Sequence, residues 1–114
     1  MATSTVELEV PGATALAVTE DTLTADLADG RTISVPLAWY PRLVHATPEE
    51  RGRWELHAAG QHIHWPDLDE DLSVEGLLAG RPSGEGRESF GRWLEAKRAG
   101  RPLTLDALFA AAED

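Results

Sequence analysis

Apolar and polar residues alternate through the first two-thirds of the chain and shift to helical spacing only toward the C-terminus. Leu16 and Val18, then Leu23, Ala25 and Leu27, recur at every second position. Thr22, Thr24 and Asp26 occupy the opposite face, and the pattern predicts two half-buried strands joined by a tight turn at Glu20-Asp21. Asp29-Gly30 predicts a hairpin turn of type I′, which needs positive φ at both central residues. Ile33, Val35 and Leu37 form the return strand, with Pro36 near its end, where a missing N–H is tolerated. Val6, Leu8 and Val10 alternate with Glu7 and Glu9 ahead of Pro11-Gly12, and read either as a further strand or as an N-terminal arm.

The middle of the chain carries helix signals. Thr47-Pro48-Glu49-Glu50 is a capping box with proline at the first helical position, which predicts a short helix from about Pro48. A helical turn over Arg42–His45 is compatible with the same stretch. Trp54, Leu56 and Ala58 then alternate with Glu55 and His57, Ala59-Gly60 turns the chain, and His62 to Trp65 form another strand ended by Pro66. Ser73 caps a brief helix through Leu77 and Leu78, closed by Gly80. Residues 80–87 hold three glycines and a proline and predict a flexible connector. Phe90, Trp93, Leu94 and Lys97 follow helical spacing until Gly100-Arg101-Pro102 stops the helix. Leu103 to Ala112, with Thr104 as N-cap, form a last apolar stretch. The expected architecture is α+β: a small antiparallel sheet, a meander of four to five strands, with short helices and a C-terminal helical extension. The expected division is an α+β domain over 1–79, the connector over 80–87 and the extension over 88–114.

Composition narrows the classes of function. A chain of 114 residues suits one modest core. Without cysteine it has no disulfide framework, no thiolate nucleophile and no Cys-ligated zinc. The formal net charge of -10 argues against nucleic-acid binding through a broadly basic surface. That charge has two sources: six acidic residues without a Lys or Arg in residues 1–30, and Asp67, Asp69, Glu70, Asp71 and Glu75 in residues 67–75. The N-terminus lacks the basic and apolar regions of a secretory signal, and no apolar run reaches the ~20 residues of a membrane span. A cytoplasmic protein is expected.

Candidate chemistry concentrates in two clusters. His62 and His64, two apart on a strand, share a face, so one metal could take both together with Asp67 or Asp69, and His57 on the neighbouring strand could join. The spacing matches neither a zinc-protease helix nor a calcium loop, and no metal or other cofactor is assigned. Trp39-Tyr40-Pro41-Arg42-Leu43 is the second cluster. Its aromatics and arginine suit an exposed recognition knuckle; alternatively Trp39 closes the core and Arg42 pairs with an Asp of 67–71. No nucleophile elbow, Walker loop or dinucleotide turn is present, so no catalytic residue is assigned. The basic residues Arg87, Arg92, Lys97, Arg98 and Arg101 are interleaved with Glu85, Glu88 and Glu95, which cancel the field a nucleic acid would need.

The string Asp29-Gly30-Arg31, Trp39-Tyr40-Pro41-Arg42-Leu43, Ala46-Thr47, Trp54, Ile63-His64-Trp65-Pro66 and Leu68-Asp69-Glu70-Asp71-Leu72-Ser73 resembles the bacterial domain-of-unknown-function 2442 family. Leu77-Leu78 continues it, and Ser89-Phe90 with Trp93-Leu94 looks like the extension of its longer members. The resemblance implies a small α+β fold and brings no established activity. Genes of that family often neighbour those of a second uncharacterised family, number 4160, and such pairs have been proposed as toxin–antitoxin modules. The expected function is therefore a non-enzymatic interaction module, antitoxin-like or regulatory, presenting an acidic surface to a basic protein partner. Asp67, Asp69, Glu70 and Asp71 would meet the partner's cations, with Trp39, Tyr40 and Arg42 beside them. The alternatives are a nucleic-acid-related regulator, acting as a phosphate mimic or through the C-terminal helices, and a metal-dependent enzyme using His62, His64 and Asp67. Self-association is left open.

Overall fold

Alternation in the first third produces the expected meander. The computed structural model describes residues 10–101, in which β1 (Ala13–Val18), β2 (Thr22–Leu27) and β3 (Thr32–Pro36) pair antiparallel in chain order. The register sets Leu23 between Val18 and Val35, and Ala25 between Leu16 and Ile33, so the apolar members share one face. On the other face the hydroxyls of Thr24 and Ser34 lie 3.0 Å apart across β2 and β3. The readings for residues 1–9 and for the apolar stretch Leu103–Ala112 lie outside the described residues.

The turn between β2 and β3 departs from the type I′ expectation. Leu27 N–H donates to Arg31 O at 2.8 Å, which closes a three-residue loop in which Gly30 alone takes positive φ, at 93°. Asp29 avoids positive φ because its Oδ1 accepts the Arg31 amide at 3.0 Å and holds the loop in another geometry. Leu37 also leaves the strand. It opens a 3-10 turn, Leu37–Trp39, because Pro36 cannot donate to continue the ladder.

Where one meander of four to five strands is expected, the described residues hold six strands in two three-stranded sheets. The second sheet comprises β4 (Glu55–His57), β5 (His62–Trp65) and β6 (Glu70–Ser73), again in chain order. The strand that pattern reading misses is β6, in the segment expected to be an acidic loop. It offers one inward apolar residue, Leu72, and hides behind Asp-Glu-Asp. Pairing of Trp65 with Glu70 leaves Pro66 to Asp69 as the turn; Asp69 takes φ 51° and Leu68 is fully buried in the core. Ala58 likewise belongs to the β4–β5 turn and not to the strand, at φ 55°.

The helices fall in the expected segments, two of them fixed by side-chain caps. They are α1 (Pro41–Val44), α2 (Pro48–Arg51), α3 (Val74–Leu78) and α4 (Arg87–Ala99). The Thr47 capping box forms in full, and Ser73 Oγ accepts the Gly76 amide at 3.0 Å. Gly100, at φ 70°, ends α4 as a left-handed cap.

One core cluster joins both sheets to the helices, through Leu23, Val35, Leu37, Tyr40, Leu43, Ile63, Trp65, Leu68, Leu77 and Trp93. Backbone contact also links the sheets. Ala13 N–H donates to Gly60 O at 2.8 Å, and a Cβ on Gly60 would stand 2.2 Å from Ala13 O. Gly60 therefore serves both as a positive-φ turn residue and as the point of close approach. No helix among the described residues is long and apolar enough to cross a membrane.

Candidate functional site

Arg42 is the organising side chain of the polar surface. On α1, with its side chain only 16% exposed, it reaches the connector and the β5–β6 turn together. Its guanidinium forks onto Glu85, with Nε at 2.9 Å from Oε1 and Nη2 at 2.5 Å from Oε2. Nη1 donates to the Asp69 carbonyl at 2.7 Å and stands 3.6 Å from the Asp69 carboxylate. The group also lies over the Trp93 ring, 5.4 Å from its centroid. The expected pairing with an Asp of 67–71 is thus present, yet Glu85 is the principal partner. That hydrogen bond is the main reason the Glu85 carboxyl sits below its ordinary range. Ser89 Oγ donates to the same carboxylate at 2.9 Å.

Further contacts fasten α4. Trp93, 3% exposed, donates its indole N–H to Leu68 O at 2.7 Å. Lys97 Nζ pairs with Glu50 at 3.0 Å, both partly withdrawn from solvent, and Phe90 packs on His45 with ring centroids 5.2 Å apart. Among the described residues no buried side-chain nitrogen or oxygen lacks a hydrogen-bond partner. Arg92 pairs with Glu88 at 3.3 Å and Arg101 with Glu95 at 3.7 Å, so carboxylates on the same segment occupy two of its basic residues.

The two aromatics of the expected knuckle exchange roles. Tyr40 is 2% exposed and belongs to the core, whereas Trp39 is half-buried at its margin, edge-on to Tyr40. Tyr40 is therefore not an exposed anchor; the 3-10 turn between β3 and α1 rotates it inward. Burial, and then the nearby Glu70, raise its phenol above the ordinary value.

The acidic residues separate into two sets. Asp67 is held by Arg53 at 2.8 Å, and Asp69 by Arg42. Asp71 Oδ1 lies 2.8 Å from His64 Nδ1 but is exposed. Glu75 is exposed and meets Arg81 at 3.3 Å. Glu70 is half-buried and makes no ion pair among the described residues; its Oε1 accepts the Asp71 amide at 3.0 Å. Burial raises the Glu70 carboxyl from 4.5 to about 7, opposed in part by that amide and by Arg42. A cleft of about 380 Å³ opens beside these groups, and Glu70, Asp71, Glu75, Tyr40 and Arg81 are among its lining residues. A second cleft, on the Arg42 side, shares Glu70 and Asp71 with it.

The metal constellation does not assemble. His57 and His64 rings approach to 5.9 Å between centroids, but Asp67 points to Arg53 and His62 is exposed. Among the described residues no group of three His, Asp or Glu side chains is placed to hold a metal ion. Sequence reading missed Glu85, whose glycine neighbours suggested only a connector. The signal that could have found it is the four-residue spacing from Glu85 to Ser89 at a helix start.

Comparison with known proteins adds fold and family. The chain resembles a crystal structure of a protein of unknown function from Rhodospirillum rubrum, 28% identical, TM-score 0.59, covering 68% of this chain and 95% of that one. It also resembles the solution structure of an uncharacterised protein from Chromobacterium violaceum, 22% identical, TM-score 0.58, covering 78% and 82%. No curated protein matches. The family model described as protein of unknown function DUF2442 matches residues 13–83, leaving Glu85 and α4 beyond the matched stretch. With more than half of its length matched, the chain belongs to that family.

Proposed function

We propose that the protein is a non-enzymatic interaction module that offers the cleft beside β6 and α3 to a cationic side chain of a basic partner protein. The observation that carries this reading is a cleft of about 380 Å³ lined by Glu70, Asp71 and Glu75, where Arg81 is the one Lys or Arg among the described lining residues. Asp71 and Glu75, though paired with His64 and Arg81, are more exposed than Asp67 and Asp69, so the partner meets them first. Like-signed carboxylates at a cleft steer a cationic partner toward it and weaken wrong encounters. Trp39, half-buried at the margin, adds apolar contact. An antitoxin-like role in the cytoplasm is the concrete form of this reading, and its warrant is the family resemblance alone.

Affinity capture from the native host tests it, with wild-type, Asp71→Lys and Glu75→Lys proteins as bait and stoichiometry read by mass spectrometry. The expected result is a basic protein held stoichiometrically by the wild type and lost by both variants. Recovery of no stoichiometric protein, or equal retention by the variants, overturns the proposal. A second copy of this chain as the captured species also counts against it.

A further inference from the structure

We infer that residues 81–86, with Glu85 near their end, form a proton-controlled latch: they stay on the β5–β6 sheet while Glu70 is protonated and lift away when Glu70 ionises. The geometry is a crowding of carboxylates on one cation. Arg42 carries Glu85 in a bidentate pair and Asp69 at 3.6 Å, and Glu70 and Asp71 line the same cleft beside it. With Glu70 neutral, one guanidinium meets two ionised partners, and His64 takes up Asp71. With Glu70 ionised, a further negative charge enters a half-buried site where, among the described residues, the other cation lining the clefts is Arg81, which is already paired with Glu75.

The repulsion can be relieved at the connector, where the backbone is least tied. Asp69 is fixed by the β5–β6 turn, and Glu70 and Asp71 by pairing of β6 with β5. Glu85 lies on a segment whose backbone is tied to the body by the Ser83 amide donating to Trp39 O at 3.0 Å. Glycines at 84 and 86, neither confined by a neighbour, let that segment move. Trp93 and Lys97 hold the rest of α4 separately, so the movement stays local to the connector and the first turn around Ser89. The elevated protonation range of the Glu70 carboxyl, caused chiefly by burial, places the transition near neutrality.

Around Glu70 stand Arg42 from α1, Tyr40 ahead of it, Glu85 from the connector, Asp69 and Asp71 from its own strand and turn, and, across the cleft lining, the paired Glu75 of α3 and Arg81; His64 on β5 holds Asp71. The latch stands without any partner at the cleft.

Amide hydrogen exchange on the full chain provides the test, with rates corrected for intrinsic base catalysis and read at Ser83 and at Phe90, whose amide bonds Gly86 O at 3.0 Å. Protection at both amides is expected to fall about tenfold between pH 5.5 and 8 in the wild type, the size of one pKa unit of coupling. Glu70→Gln should keep protection high across that range, while His64→Gln keeps the wild-type slope. Glu85→Gln, which weakens the latch itself, should give low protection throughout. A wild type with flat protection, a wild-type slope in Glu70→Gln, or a slope abolished by His64→Gln alone overturns the inference.

Discussion

Replacing Arg42 with methionine removes the guanidinium and keeps most of the stem, so it isolates the polar work of this side chain. In the native protein the paired side chains of Arg42 and Glu85 are 16% and 10% exposed, which places the pair well inside the surface. Breaking a buried ion pair by removing one partner costs about 3–5 kcal/mol, and residual solvent here lowers that to about 2–4 kcal/mol. Loss of the bond to Asp69 O and of the contact with Trp93 falls within the same range. For a domain of this size the change lowers Tm by about 10–20 °C. Glu85→Gln retains a hydrogen bond to Arg42 and should cost less, about 1–2 kcal/mol. The informative number is the coupling between the two. In the Arg42→Met/Glu85→Gln double variant the charge left unpaired by the first change is gone, so the loss should fall short of the summed single losses by about 1–3 kcal/mol. Urea unfolding followed by tryptophan fluorescence at pH 6 measures all four corners of the cycle. Additivity within about 0.5 kcal/mol would show that Arg42 and Glu85 are not coupled as their geometry requires.

Other expectations are narrower. Trp93→Phe keeps the ring in the core but deprives Leu68 O of its 2.7 Å donor, and should cost about 1–3 kcal/mol in urea unfolding. Gly60→Ala sets a Cβ 2.2 Å from Ala13 O at φ 82° and should destabilise by more than about 3 kcal/mol, whereas Gly84→Ala, with open space around it, should change stability by less than about 1 kcal/mol. Glu70 sets the sign of the pH dependence near neutrality. Its carboxyl is raised from 4.5 to about 7 in the fold, so the folded state holds the extra proton between those values, and stability falls as pH rises through that window. Partial solvent access limits the loss to about 1–3 kcal/mol, and Glu70→Gln should flatten the profile between pH 5 and 8. Glu85 acts in the opposite direction and only in acid, where protonation of its lowered carboxyl weakens the pair with Arg42.

Features whose physics is local were the ones readable from the chain. The Thr47 capping box and the Ser73 cap each involve residues three apart, and the alternation of β2 directly states which side is buried. Legibility stopped where a distant partner decides the outcome. Strand β6 shows almost no apolar signal, because pairing with β5 and burial of Leu68 in the preceding turn define it. Glu85 reads as a charge in a glycine-rich connector, and its meaning comes from Arg42, 43 residues earlier. Trp39 and Tyr40 are adjacent, so composition could not tell which one the 3-10 turn would direct inward. The acidity itself was visible, but which carboxylates are drawn toward Arg42 and Arg53, Asp69 and Asp67, and which stand further into solvent, Asp71 and Glu75, depends on where those arginines reach.

The central claim, that the carboxylates beside β6 and α3 receive a cationic side chain, is tested most directly by titrating the captured partner against purified wild type and Glu75→Lys at low and high salt. Binding is expected to be at least about tenfold weaker in the variant, with the wild type losing affinity as salt screens the cleft. Equal affinity for both proteins at both salt concentrations would contradict it.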